Sequence, residues 1–226
     1  MFTGFTDETV QFFLDLRFHN HPDFFHQEHD RYVEVVQKQF YSLIEDLSPA
    51  LLKIDQNIEI RPFKCLSRIH RDTRFSRDKS PYRDHLWFLF RKAGRPREKS
   101  LFYFGEFGPD RLAWGLGIWG ENKEIMDAFR KKMEANPQGM LAMIDDMNLS
   151  EHGLGLDGSF YKRMPVPENI PDQLKRWYRS KELYIGKINP TYQWAFSEKL
   201  KKEMERDFLS MAPLYHTLTG IYDEIK

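Results

Sequence analysis

The chain has 226 residues, of which 41% are hydrophobic and 15% aromatic, enough for a sizeable core in a single domain spanning 1–226. Its 34 basic and 34 acidic residues cancel, which argues against a broad nucleic-acid-binding face, and its lone cysteine, Cys65, excludes an internal disulfide. Apolar runs such as Leu86 to Phe90 are too short to span a bilayer, and MFTGFTDETVQ carries neither a basic leader nor a long apolar run, so a cytoplasmic protein with no membrane contact is expected.

Thr6 or Asp7 is placed to cap a first helix running to about Phe18, with Phe12, Phe13 and Leu16 on its apolar side. A histidine-rich turn follows: His19, His21, His26 and His29. Imidazole suits transition metals, but this spacing fits no standard metal motif, so capping and a solvated face are the simpler reading and no metal is expected. A long helix from Pro22 or Glu28 to Leu47 shows Val36, Phe40, Leu43, Ile44 and Leu47 at helical spacing. Ser48-Pro49 is expected to break it, and Leu51 to Ile60 is a further short element.

Arg68 to His85, RIHRDTRFSRDKSPYRDH, is the stretch with unusual chemistry. Residues 1–60 carry 4 basic and 11 acidic side chains, whereas residues 61–99 carry 13 and 4. Arg68, Arg71, Arg74 and Arg77 recur every third residue, a column in a 3₁₀ or polyproline segment. Thr73, Ser76, Asp78, Ser80 and Pro81 are turn formers. The expectation is a rigid, irregular loop, entered by a strand over Leu66–His70 and left by one over Leu86–Arg91, with Phe75 and Tyr82 pinning it to the core. Guanidinium groups held this way match a carboxylate or phosphate with two bonds each. The same pattern also fits an internal Arg–Asp staple without a ligand.

The run Arg71-Asp72-Thr73-Arg74-Phe75-Ser76-Arg77-Asp78-Lys79-Ser80-Pro81-Tyr82-Arg83 resembles the signature of the family known as domain of unknown function 2461. The opening HNHPDFFHQEHDRY is similar to that family's through Asn20, Phe25 and Tyr32 and departs from it at His21, Phe24 and His29; FYKRMP resembles its second basic segment. The resemblance implies that the loop matters and brings no activity with it.

Leu86–Arg91, Leu101–Phe107 and Leu112–Trp119 read as a meander of three strands, with turns at Ala93-Gly94-Arg95-Pro96 and Gly108-Pro109-Asp110. In the third strand Gly115 and Gly117 share a face, which leaves room for a ligand, another backbone or tight packing. GLGIWG has dinucleotide-fingerprint spacing but no βαβ unit around it, and no cofactor is expected. Helices are expected over Glu121–Ala135 and from Asn136-Pro137 to about Met147. Asp157-Gly158 reads as the turn of a local hairpin over Gly153–Arg163. A short helix near Leu174–Tyr178 and a strand over Leu183–Ile188 follow. Asn189-Pro190 opens a helix marked by Tyr192, Phe196, Leu200, Met204 and Phe208. Pro213 interrupts it before a last helix. No heptads appear, and the pattern names no oligomer.

The fold expected is α+β, an antiparallel sheet meander flanked by helices. The expected function is an anion pocket for a phosphate- or carboxylate-bearing small molecule. Arg71, Arg74, Lys79 and Arg83 supply donors, Asp72 and Asp78 orient them, Tyr82 closes a wall, and Lys162 and Arg163 assist. Asp72, Asp78 and His70 are candidate proton carriers, no nucleophile is named, and an enzymatic role is left open. On this reading Arg74→Ala abolishes stabilisation by anions.

Overall fold

The computed structural model describes residues 1–95, 100–118 and 120–225. It is α+β, with a five-stranded antiparallel sheet of order β1-β2-β3-β5-β4. The chain divides into two compact units. One comprises residues 1–90, 104–114 and 188–205, the other residues 91–103, 115–187 and 206–226.

In the first unit, α1 (Asp7–Phe18) starts where Thr6 was expected to cap it. The Thr6 hydroxyl accepts the Thr9 N–H at 3.2 Å, and the Thr9 hydroxyl accepts the Thr6 N–H at 3.2 Å. His21 caps α2 (Pro22–Gln27), its Nδ1 accepting the Phe24 N–H at 3.3 Å, so one histidine of the cluster serves the backbone. Then come α3 (His29–Tyr32), a π-turn over Val33–Gln37 and α4 (Lys38–Ile54).

Ser48-Pro49 does not break α4, contrary to expectation. Proline costs a helix interior about 3 kcal/mol through its missing N–H and its clash with the preceding turn. Here Ile44, Leu47, Leu51 and Ile54 are all buried around it, each worth about 1.5–3 kcal/mol. The Ser48 hydroxyl also donates to the Ile44 carbonyl at 2.7 Å. Packing therefore outweighs the local signal. Phe5 belongs to the same core, stacked on Phe107 at 4.0 Å and packed on Phe40 at 4.9 Å. Cys65 closes α5 (Pro62–Cys65) as a buried residue whose thiol donates to the Glu59 carbonyl at 3.1 Å.

β1 (Leu86–Arg91), β2 (Leu101–Gly108) and β3 (Arg111–Ile118) form the expected meander. Pro96 of the first turn and Trp119 at the end of the third strand lie outside the described residues.

In the second unit, Asn122 and Asn136 cap α6 (Lys123–Ala135) and α7 (Pro137–Asp146). β4 (Gly155–Asp157) makes no local hairpin; it pairs antiparallel with β5 (Tyr184–Ile188), Leu156 opposite Ile185. Gly158 supplies the turn at φ 100°, but the returning chain reaches only an isolated pairing of Phe160 with Ser180. A 3₁₀ turn over Asp172–Leu174 leads into α8 (Lys175–Tyr178). The face of Gly115 and Gly117 is filled by protein. A Cβ on Gly115 would lie 1.9 Å from the Ile185 carbonyl oxygen, and one on Gly117 would lie 2.9 Å from the Tyr184 ring. These glycines admit a neighbouring strand, so they are no floor for a ligand.

The helix expected from Asn189-Pro190 begins late. Asn189 takes φ 50°, a 3₁₀ turn spans Tyr192–Phe196, and α9 runs over Lys199–Ser210. The last helix, α10, covers Ala212–Glu224 with Pro213 in its first turn. No helix among the described residues is long and apolar enough to cross a membrane.

Candidate functional site

The Arg68–His85 segment is irregular, as its turn formers require, but it is not entered by a regular strand. Leu66 pairs with Phe88 and His70 with Tyr82 as isolated bridges. Backbone bonds from Ser67 N–H to Trp87 O (2.8 Å), Arg83 N–H to Ile69 O (2.9 Å) and Arg71 N–H to Pro81 O (2.8 Å) zip its two arms together. Asn20 locks the junction: its side-chain amide donates to the Tyr82 carbonyl at 3.0 Å and accepts the Tyr82 N–H at 2.9 Å. Tyr82 is buried and stacks on Phe25 at 4.4 Å, so it does pin the loop. Phe75 does not; it is 95% exposed, with the Arg74 guanidinium 5.7 Å from its ring centre.

The arginines form no column, because a turn joining Ser76 N–H to the Thr73 carbonyl (3.3 Å) redirects the chain. Arg74 points outward, 77% exposed, and grips Asp72 with two bonds of 2.9 and 2.7 Å. That guanidinium, with the Arg74 N–H, holds the Asp72 carboxyl down to about 2. Lys79 folds back to donate to the Thr73 carbonyl at 2.9 Å. Arg71 turns inward onto Asp78, whose carboxyl is driven well below its ordinary value by that guanidinium and by the Ser80 hydroxyl and N–H. Arg83 donates to the carbonyls of Arg68 and His70 and lies 4.9 Å over Trp87.

A cavity of about 330 Å³ opens at the foot of this loop. Of the expected residues, Arg71, Asp78, Tyr82 and Arg83 line it, whereas Asp72, Arg74 and Lys79 do not. Lys162 and Arg163 belong to the other unit, where both are exposed. The wall is completed by Arg17 in the last turn of α1, Asn20 just beyond that helix, Asp84 and His85 at the end of the loop, and Arg111 at the start of β3.

These form a chain of alternating charge. Arg17 donates to Asp84 at 2.7 Å and pairs with Asp110 at 2.7 Å. His85 sets Nδ1 2.9 Å from Asp84 and Nε2 3.5 Å from Glu106, which pairs with Arg111 at 3.2 Å. Burial pulls the Asp84 carboxyl up, but His85 and Arg17 overcome it and hold it below its ordinary value. A Cβ on Gly108 would lie 2.5 Å from the His85 Cβ, so glycine at the end of β2 is what lets that imidazole stand here. Four arginines against two carboxylates leave the lining net positive. His85 thus stands between the carboxylates of Asp84 and Glu106. His70, the earlier candidate, packs on Tyr82 and Phe25 instead, at 5.0 and 5.8 Å. Among the described residues no group of three or more His, Cys, Asp or Glu is arranged to hold a metal ion.

A family model described as conserved hypothetical protein (DUF2461) matches residues 8–216. No curated protein and no solved structure matches the chain.

Proposed function

The chain belongs to this family of conserved hypothetical proteins, whose description names no activity, and from that premise we propose that the cavity at the foot of the Arg68–His85 loop binds a small phosphate- or carboxylate-bearing molecule. One observation carries the reading: a space of about 330 Å³ whose lining sets Arg17, Arg71, Arg83 and Arg111 against only Asp78 and Asp84. That volume falls at the lower end of small-molecule sites, roughly 300–1,000 Å³. The cations are not idle before a ligand arrives. Arg17 and Arg71 spend their bonds on carboxylates at the cavity edge, so an entering anion exchanges one oxyanion for another. A cytoplasmic setting, which keeps Cys65 reduced, belongs to the same proposal.

The test is thermal unfolding with phosphate and with citrate at fixed ionic strength. The wild-type chain gains stability from one of these anions; Arg17→Ala and Arg71→Ala lose that gain. Arg74→Ala retains it, because its guanidinium is committed to Asp72 outside the cavity. A gain that survives in Arg17→Ala and Arg71→Ala, or that disappears only in Arg74→Ala, overturns the assignment.

A second reading is favoured by the pairing itself. Arg71, Arg74 and Arg83 already hold native acceptors, as an internal staple requires. Under it no anion stabilises the chain, and Arg71→Ala lowers the melting temperature with no ligand present.

A further inference from the structure

The second unit holds a larger concavity, of about 780 Å³, with the opposite character. Its floor is apolar, made by Ile144, Leu149, Leu154, Leu156 and Trp177. Its polar lining is Asp145, Asn148, Ser150 and Glu151, without a lysine or arginine. Arg176, which comes near, is committed to the Leu156 carbonyl at 2.8 Å and to the Phe160 ring at 4.8 Å. Among the described residues the side chains of Asp145 and Glu151 have no cation and no hydrogen-bond partner.

The wall over 148–154 is built rather than slack. Asn148 and Gly153 take φ 49° and 66°, and the Leu154 N–H closes the turn on the Leu149 carbonyl at 2.7 Å. His152 fastens it from behind, with Nδ1 3.1 Å from the fully buried Asp207, which also holds Lys187 at 3.0 Å and Arg206 at 2.8 Å. A pre-formed space needs little ordering when a guest enters.

We propose that this concavity binds an organic cation with an apolar body, an alkyl- or arylammonium compound. Its hydrocarbon lies on Leu149, Leu156 and Trp177, and its ammonium sits at the Asp145 and Glu151 carboxylates. An apolar floor alone would accept any hydrocarbon; two unmatched carboxylates select the sign of the charge. Trp177 adds an aromatic surface that suits a cation.

The experiment is titration calorimetry on the full chain with three probes of equal length: octylammonium, octanol and octanoate. Octylammonium binds with a Kd below about 1 mM and at least about tenfold tighter than octanoate, the difference expected of two solvent-touched charge pairs. The double variant Asp145→Asn, Glu151→Gln brings octylammonium down to the level of octanol. Ser150→Trp fills the mouth and removes binding of all three. Both variants alter exposed side chains, so an unchanged melting temperature certifies the fold. Equal binding of octylammonium and octanoate, no binding at all, or binding untouched by Ser150→Trp overturns the proposal.

Discussion

Asp72 and Asp207 each hold an arginine close by in sequence, Arg74 and Arg206, and they do so in opposite solvents. Asp72 stands at an exposed loop tip, its carboxylate gripped by the Arg74 guanidinium. Asp207 is 0% exposed and meets Lys187, His152 and Arg206 together. In water an ion pair is nearly free to break, since solvent replaces each partner. In the interior, removing one partner strands the others without hydration. The difference separates the two kinds of arginine–aspartate contact in this chain. A pair at the exposed loop tip can break without stranding a buried charge, whereas the buried cluster is architecture.

The comparison breaks most sharply at Asp207→Ala. This leaves Lys187 buried beside the Arg206 guanidinium without the Asp207 carboxylate, and a loss of about 3–5 kcal/mol is expected in urea unfolding. Asp72→Ala, the matching change at the loop, leaves the urea midpoint in place. Similar midpoints for the two variants would mean that water reaches Asp207.

A smaller effect is expected at Arg130, in α6. It is buried and donates to the carbonyls of Tyr178 (2.8 Å) and Ser180 (2.5 Å) and to Asp127 (2.7 Å). Methionine keeps its bulk but orphans both carbonyls, so Arg130→Met costs about 2–3 kcal/mol in the same assay. Arg74→Met, which removes a guanidinium that is 77% exposed, leaves stability unchanged. A midpoint that drops as far for Arg74→Met as for Arg130→Met would erase the distinction.

The same contrast explains what could be read from the sequence. The helices and the three-strand meander were legible because period and caps are local: Thr6, Asn136-Pro137 and the run over Leu86–Arg91 each declare themselves within a few residues. Three features needed the packed chain. Pro49 stays inside α4 only because its neighbours are buried. Gly155–Asp157 finds its partner nearly thirty residues on, in β5. Phe75, apolar by type, is left in solvent by a turn whose direction the sequence does not state. At the site, Arg71, Asp78, Tyr82 and Arg83 were visible as one contiguous run, but the run could not say that Arg74 faces out while Arg71 faces in. Arg17, Glu106 and Arg111 are ordinary surface charges until the fold gathers them. Asn20 carried a signal, as one of the opening residues on which the resemblance was read. Its role, pairing with both backbone groups of Tyr82, is tertiary.

The smallest effect is the most direct reading of the loop. The Arg74 guanidinium first, and then the Arg74 N–H, take the Asp72 carboxyl from 3.8 to about 2. Because the folded value lies below the unfolded one, whatever stability the pair contributes is full above about pH 4 and fades as pH falls towards about 2. Solvent screens an exposed pair, so global unfolding is a poor probe and the carboxyl itself should be watched. In a carbon-detected NMR titration the Asp72 side chain is expected to have its midpoint near 2 in the wild-type chain. Arg74→Ala returns it towards 3.8, and high salt moves the wild-type value the same way. A midpoint that stays low in Arg74→Ala would assign the shift to the backbone N–H of residue 74 rather than to the guanidinium, and the loop tip would then be held by its own turn instead of by an ion pair.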